Sequence, residues 1–464
     1  MVMPRQLGKH TADHFVADGI SVALIFLIII TTSLSGAISD HYDISFLGAY
    51  LLLALINYRV GGNDVFYPGF LYSVLWLTTL TLLASFPIDV DALSERTEFL
   101  LFGCCTVFSL SCFVVSRTAI AKHVQEKQSR FNDRGGKLLV IWLLAVLPLF
   151  VLDLARAAGG FGPDFLSRAR LAIIALFVEG KTPYSSLLTS SAPSIAVMAC
   201  LASAIDRKRT SKWITRTLIV LAVLYAVMTT GRPQIVQIFA GLSCIYLFGL
   251  RRLTFIAALK KVAIPICIGA AFLIFIPLLT KVEVSQSSAT SSFVGQLFLE
   301  YLVGSVPALD TLVTNPVHVA STLTFQPLAL VSNKLFGTHN EQLVNWFVYI
   351  PFPMNTYTAY RPYLIDFGLA GPIVFSGIIG MFHGLLYKIA RRGSDVFLFL
   401  FAIYLYPLVM TIFDDQYTGG LLLHHVQIIL FATLYFGVLR DFSKEKLVTL
   451  LVGRASLPST SRFV

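Results

Sequence analysis

The sequence predicts an all-α integral membrane protein of about twelve transmembrane helices. Three observations carry that prediction. Of 464 residues, 56% are hydrophobic and only 13% are charged. The mean hydropathy is +0.77. Apolar runs of near membrane-spanning length recur from Val16 almost to the C-terminus. Soluble globular domains do not have this balance, and no polar stretch is long enough to make a second domain. Residues 1–464 therefore read as one polytopic membrane domain.

A window of about 19 residues places spans at Val16–Ile38, Ile44–Tyr58, Val65–Phe86, Glu98–Ser116, Leu138–Ala155, Ser186–Ile205, Ile214–Thr230, Ile235–Leu250, Val262–Leu279, Phe367–Ile389, Val396–Phe413 and Leu421–Leu439. The first run is too long for the apolar core of a signal peptide and lacks a small-residue cleavage site, so it is expected to stay as the first helix. Leu171 to Val178 is apolar but short, which suits a re-entrant or interfacial helix. The six cysteines, Cys104, Cys105, Cys112, Cys200, Cys244 and Cys267, all fall within apolar segments. There they pack as small hydrophobes, and no metal or redox site is implied.

The net charge of +10 reports orientation rather than nucleic-acid binding. With twelve spans both termini share one side. If that side is the cytoplasm, the inner segments hold 26 bases against nine acids and the outer segments nine bases against sixteen acids. The positive-inside rule thus puts both termini in the cytoplasm. A large outer loop, residues 282–366, then precedes the last three helices, and a smaller one spans 156–185.

Inner loops are short and basic, which suits orientation and contact with anionic membrane lipids. Outer loops of such length are usually functional. Arg232, in the turn Thr230-Gly231-Arg232-Pro233 between two apolar runs, has two readings: it meets an anion or a water-filled cavity, or it snorkels to the interface. The large loop is rich in groups that bond to or stack on sugars, among them Asn333, His339, Asn340, Asn345, Trp346, Tyr349, Asn355, Tyr357, Tyr360 and Tyr363. The same aromatics also suit an interfacial belt. Glu300 and Asp366, near the loop's membrane ends, are placed either to act as a general base or to pair with Arg232 or Arg361. His339 is the outer histidine best suited to proton transfer. His424 and His425, beside Asp414 and Asp415, are less tied to the loop, and His383 is expected to be satisfied by a neighbouring helix. The chain has no Walker motif, dinucleotide fingerprint, HExxH or nucleophile elbow, which argues against a nucleotide-driven reaction and gives no cofactor.

Several stretches resemble the bacterial O-antigen and oligosaccharide repeat-unit polymerases, the Wzy-type family. They are Thr230-Gly231-Arg232 opening a helix, Glu300-Tyr301 with Gly304-Ser305 and Pro307, and Asn355-Thr356-Tyr357-Thr358 followed by Tyr363, Asp366-Phe367-Gly368 and Gly371. The resemblance implies a GT-C-like architecture in the bacterial inner membrane, with the active site facing the periplasm. It implies a reaction joining two undecaprenyl-diphosphate-linked oligosaccharides, in which an acceptor hydroxyl attacks the donor's anomeric carbon and expels the lipid diphosphate. On this reading Arg232 and Arg361 bind diphosphate, and Glu300, His339 or Asp366 activates the hydroxyl. Tyr301, Asn355, Tyr357, Tyr360 and Tyr363 hold sugars, and Arg168 and Arg170 form a second basic patch. Neither metal nor cofactor is needed, since the diphosphate is already an activated leaving group. A chain-length regulator protein is an implied partner. The related O-antigen ligases carry a His-Asn pair similar to His339-Asn340. A ligase, a polysaccharide or lipid transporter and a non-catalytic assembly protein are the competing readings.

Overall fold

The computed structural model describes residues 44–85, 92–118, 133–162, 164–178, 183–207, 210–229, 232–248, 303–317, 323–337, 348–350, 352–419 and 424–439. The spans expected at Val16–Ile38 and Val262–Leu279 lie outside these residues. The first eight described helices are α1 (Ile44–Val60), α2 (Pro68–Ser85), α3 (Glu95–Arg117), α4 (Arg134–Ala157), α5 (Phe165–Val178), α6 (Leu187–Ile205), α7 (Lys212–Met228) and α8 (Arg232–Phe248). Two short helices follow, α9 (Ser305–Thr314) and α10 (Gln326–Phe336), and then the strands β1 (Val348–Tyr349) and β2 (Pro353–Met354). The chain continues through α11 (Arg361–Phe367), α12 (Ala370–Arg391), α13 (Asp395–Met410) and α14 (His424–Leu434), which closes in a π-helical turn, Tyr435–Leu439.

Among the described residues, α2, α3, α4, α6 and α12 are long and apolar enough to cross a membrane, while α1, α8, α13 and α14 are apolar but shorter. The molecule is thus a helical bundle of membrane-spanning dimensions. Its outer surface fits that setting, because apolar side chains face outward in stripes along the helices. On α4, Leu138, Ile141, Leu144, Leu149 and Leu152 are all exposed, Ile141 by 63%. Water penalises continuous apolar stripes of this kind, and lipid does not. The expectation of an all-helical chain needs one amendment. Val348 pairs with Met354 and Tyr349 with Pro353 in a two-residue antiparallel ribbon within the large loop.

Local chemistry sets the helix ends. Ser94, Ser186 and Ser394 cap α3, α6 and α13, their hydroxyls accepting from the backbone N–H groups of Thr97, Thr189 and Phe397. Glu95 and Glu98 occupy the first turn of α3 and Arg117 its last, each matching the helix dipole.

The tightest packing joins α3 to α12, which run parallel. Cys112 donates to the Gly380 carbonyl, and Lys388, four residues beyond Gly384, donates to the Val115 carbonyl at 2.8 Å. Gly380 and Gly384 make the approach possible. A Cβ on Gly380 would lie 2.4 Å from the Phe108 carbonyl oxygen, and one on Gly384 would lie 3.1 Å from Cys112 Cα. Small residues four apart let two helix backbones touch, which replaces the hydrophobic driving force that lipid removes. Buried polar groups add further ties. Asn57 on α1 donates to Ser73 on α2 and to Ser109 on α3, both at 2.9 Å. Asp64 in the α1–α2 turn pairs with Arg391 at the far end of α12, and Arg391 also donates to the Phe248 carbonyl at 2.9 Å.

The stretch expected as a span at Val396–Phe413 stops being helical at Met410. Thr411 turns its hydroxyl back to the Leu408 carbonyl, and Asp414 and Asp415 follow. Such residues draw the backbone into turns. Residues 411–419 then fold back into the bundle. The Tyr417 hydroxyl meets His383 Nε2 at 2.8 Å, and His383 is thirteen residues into α12, about 20 Å along its axis. His425, near the start of α14, contacts the Tyr417 carbonyl at 2.7 Å and the Tyr404 hydroxyl at 3.0 Å. The His383 Nε2 finds its partner in this turn rather than on a neighbouring helix, while its buried Nδ1 has no hydrogen-bond partner among the described residues. Non-helical backbone at such depth persists only when protein encloses it and its polar groups find partners, and Asp415 supplies most of them here.

Candidate functional site

The site grows from the segment leading into α12. Thr358 starts a turn in which the Arg361 N–H reaches the Thr358 carbonyl at 3.1 Å, and Ala359 donates to the Thr411 carbonyl at 2.8 Å. That second bond fastens the loop to the 411–419 turn. Pro362 then sits in the first turn of α11, where a missing N–H costs nothing. Gly368, at φ 63°, ends the helix.

Tyr357, Tyr360 and Tyr363 follow one another at intervals of three, and all are buried. Tyr360 stacks on Trp76 of α2 at 5.6 Å with an interplanar angle of 10°, and its hydroxyl bonds to that of Tyr72. Tyr363 stacks on Phe375 of α12 at 4.1 Å and 8° and donates to Asp415 Oδ1 at 3.0 Å. The sugar-stacking role expected for these two is therefore corrected. Their rings are covered by Trp76 and Phe375, and they bind the loop to the bundle. Tyr357 is placed differently. Its ring lies 4.9 Å from the Arg361 guanidinium, a cation–π contact. Asn355 is half-buried just before it.

Arg361 is only 6% exposed. Burial pulls its guanidinium below its usual value, while Tyr357 and Asp414 act to restore the charge. Burial likewise pushes the Tyr357 phenol up, with Arg361 opposing. Beside them stand two adjacent carboxylates in unlike surroundings. Asp415 receives four donors: the Tyr363 hydroxyl, the Tyr417 N–H at 2.9 Å, the Thr418 N–H and the Thr418 hydroxyl. Asp414 is half-buried and accepts from Gln416 Nε2 at 3.3 Å. Burial first, then the neighbouring Asp415 charge, pushes the Asp414 carboxyl up to about 7, against the pull of its backbone hydrogen bond, Arg361 and Gln416.

The other expected residues divide clearly. Asp366 is not placed as a base, since its two oxygens accept the backbone N–H groups of Leu323 at 3.0 Å and Thr324 at 2.7 Å and so anchor the entry to α10. This capping arrangement is worth about 1 kcal/mol. Asp366→Ala is accordingly expected to speed tryptic cleavage at Lys334 about fivefold, the factor that energy implies for local opening. An unchanged cleavage rate would refute the anchor.

Arg168, on α5, donates to the Gly160 carbonyl at 3.2 Å, and Arg170 is half-buried on the same helix, which packs against α4. Glu300, Tyr301 and His339 lie outside the described residues, as does the Arg232 side chain, although Arg232 does open α8 as expected. That end of α8 reaches the same polar region, because Gln237 meets His424 Nε2 at 3.3 Å.

Sequence reasoning set Asp414, Asp415, His424 and His425 apart from the loop. The Tyr363–Asp415 and Ala359–Thr411 bonds join them to it. The available signal was the polar run Asp414-Asp415-Gln416-Tyr417-Thr418 interrupting two apolar stretches. No family model, curated protein or solved structure matches this chain.

Proposed function

We propose that the protein is a membrane glycosyltransferase that polymerises undecaprenyl-diphosphate-linked oligosaccharide repeat units for O-antigen or a related surface polysaccharide. It works at the periplasmic face of a bacterial inner membrane, with both termini in the cytoplasm. The supporting observation is Arg361, a nearly buried guanidinium held over Tyr357 beside the half-buried carboxyl of Asp414. A guanidinium fork in a low-dielectric site suits a diphosphate leaving group, whose charge grows as the glycosidic bond breaks. Arg232, from the adjacent α8, supplies a second guanidinium, and Asn355 and the amide-rich part of the loop contact sugar.

The reaction needs a carboxylate and a cation near one another, and the electrostatic coupling of Arg361 and Asp414 supports this reading. Membrane lipids surround the bundle, and a chain-length regulator is the expected protein partner.

Deleting the gene in its host is the test. Polymerase loss is expected to leave one repeat unit on the final acceptor, with the ladder restored by the wild-type gene. Loss of every attached repeat would point instead to a ligase, and repeats trapped on the cytoplasmic face to a transporter.

A further inference from the structure

We propose that Asp414 is the catalytic base of the transfer, taking the proton from the attacking hydroxyl of the acceptor sugar, and that Asp415 beside it is a positioning residue. This rests on the glycosyl-transfer reading above. It assigns the base to the turn between the last two helices rather than to the large loop, where Glu300, His339 and Asp366 are the sequence candidates.

Asp415, only 8% exposed, has its oxygens engaged by Tyr363, Tyr417 and Thr418, which fix the turn and pin it to α11. Asp415 accepts from at least two donors on each oxygen. Its neighbour has one side-chain donor, Gln416 on Oδ2, and keeps part of its surface open. Adjacent carboxyls with such different hydrogen-bond partners divide the work of structure and proton transfer.

Position supports the assignment. Arg361, on α11, is coupled electrostatically to Asp414, and its guanidinium lies 4.9 Å from the Tyr357 ring. The cation that would bind the diphosphate and the base that would activate the acceptor are thus held by one hydrogen-bonded unit. Of the large-loop carboxylates among the described residues, Asp366 is already spent on backbone donors and Asp310 accepts from Ser94.

The step balances. The acceptor O–H gives its proton to an Asp414 oxygen while its electron pair forms the new bond to the donor's anomeric carbon. The bond from that carbon to the diphosphate oxygen breaks, and the undecaprenyl diphosphate leaves with the electron pair, its charge met by Arg361. Asp414 then returns its proton to water.

The groups that face Asp414 are Arg361 from α11, Asp415 and Gln416 from its own turn, and Tyr406 from α13. A base in that setting is held near neutrality, so kcat/KM for the wild type should rise with pH through about 7 and then level. Asp414→Asn, nearly isosteric, is expected to lower kcat about 100- to 10,000-fold, to leave the donor KM nearly unchanged and to remove that pH limb. Asp414→Glu should restore part of the rate with a displaced limb.

The assay uses the full chain in detergent with synthetic undecaprenyl-diphosphate-linked repeat units, each variant first shown to unfold at the wild-type temperature. If wild type polymerises and Asp414→Asn matches its kcat and pH profile, Asp414 is not the base. If Asp414→Asn fails to fold, absence of any pH limb near neutrality in wild type, or a limb unmoved in Asp414→Glu, overturns the assignment. If wild type forms no product, the glycosyl-transfer reading falls and takes this one with it.

Discussion

Gly380→Leu is expected to prevent the bundle from assembling, and Gly380→Ala to destabilise it by about 2 kcal/mol, within the range for overpacked cores. The obstacle is the Phe108 carbonyl oxygen, 2.4 Å from where the new Cβ would stand. It is a backbone atom on a helix whose neighbouring turns are also in contact, at Gly384 with Cys112 and at Lys388 with Val115. It cannot swing aside, so α3 and α12 must separate and lose close packing along several turns. The paired control is Gly48→Ala on α1, where nothing lies within 4 Å of an added Cβ. There the helix should be unaffected or stabilised by up to about 1 kcal/mol. Thermal unfolding in detergent distinguishes them, and equal midpoints for the two alanine variants would refute the close approach.

Arg361→Ala is expected to lower kcat of the proposed transfer by about 100- to 1,000-fold, the loss typical when one donor to a developing negative charge is removed. Arg361→Lys should recover only part of the rate, because an ammonium keeps the charge but not the planar fork that grips two phosphate oxygens. The side chain is also packed under Tyr357, so alanine opens a small void there and the folded fraction has to be measured alongside. A purified, folded Arg361→Ala protein with wild-type kcat would remove Arg361 from the chemistry.

Much of the fold is written in the apolar runs, because a bilayer demands a fixed length of helix and little else. The runs at Ile44–Tyr58, Leu138–Ala155 and Ser186–Ile205 each correspond to a helix within a few residues. Where the chain departs from that rule, polar side chains decide. The run expected to extend to Phe413 breaks at Met410 since Thr411, Asp414 and Asp415 offer the backbone other partners. That the turn then folds inward depends on His383, more than thirty residues earlier, which no local pattern reveals.

The site was legible by residue type but not by role. Tyr357, Tyr360 and Tyr363 look alike in the sequence, yet Trp76 and Phe375 cover two of them, and Arg361 faces the third. Asp366 and Asp414 are both carboxyls next to apolar helices. Only the tertiary fold brings the Leu323 and Thr324 amides to the first and leaves the second beside a cation. Such distinctions arise from long-range pairing, and a single sequence carries no record of it.

The most direct measurement of the central claim is reconstitution. Purified chain in detergent, supplied with a defined undecaprenyl-diphosphate-linked oligosaccharide and no nucleotide sugar, is predicted to produce a ladder of products that grows by one repeat unit. One undecaprenyl diphosphate should be released for every bond formed. Intact substrate after prolonged incubation with folded protein, or saccharide delivered only to an unrelated acceptor, would contradict the account.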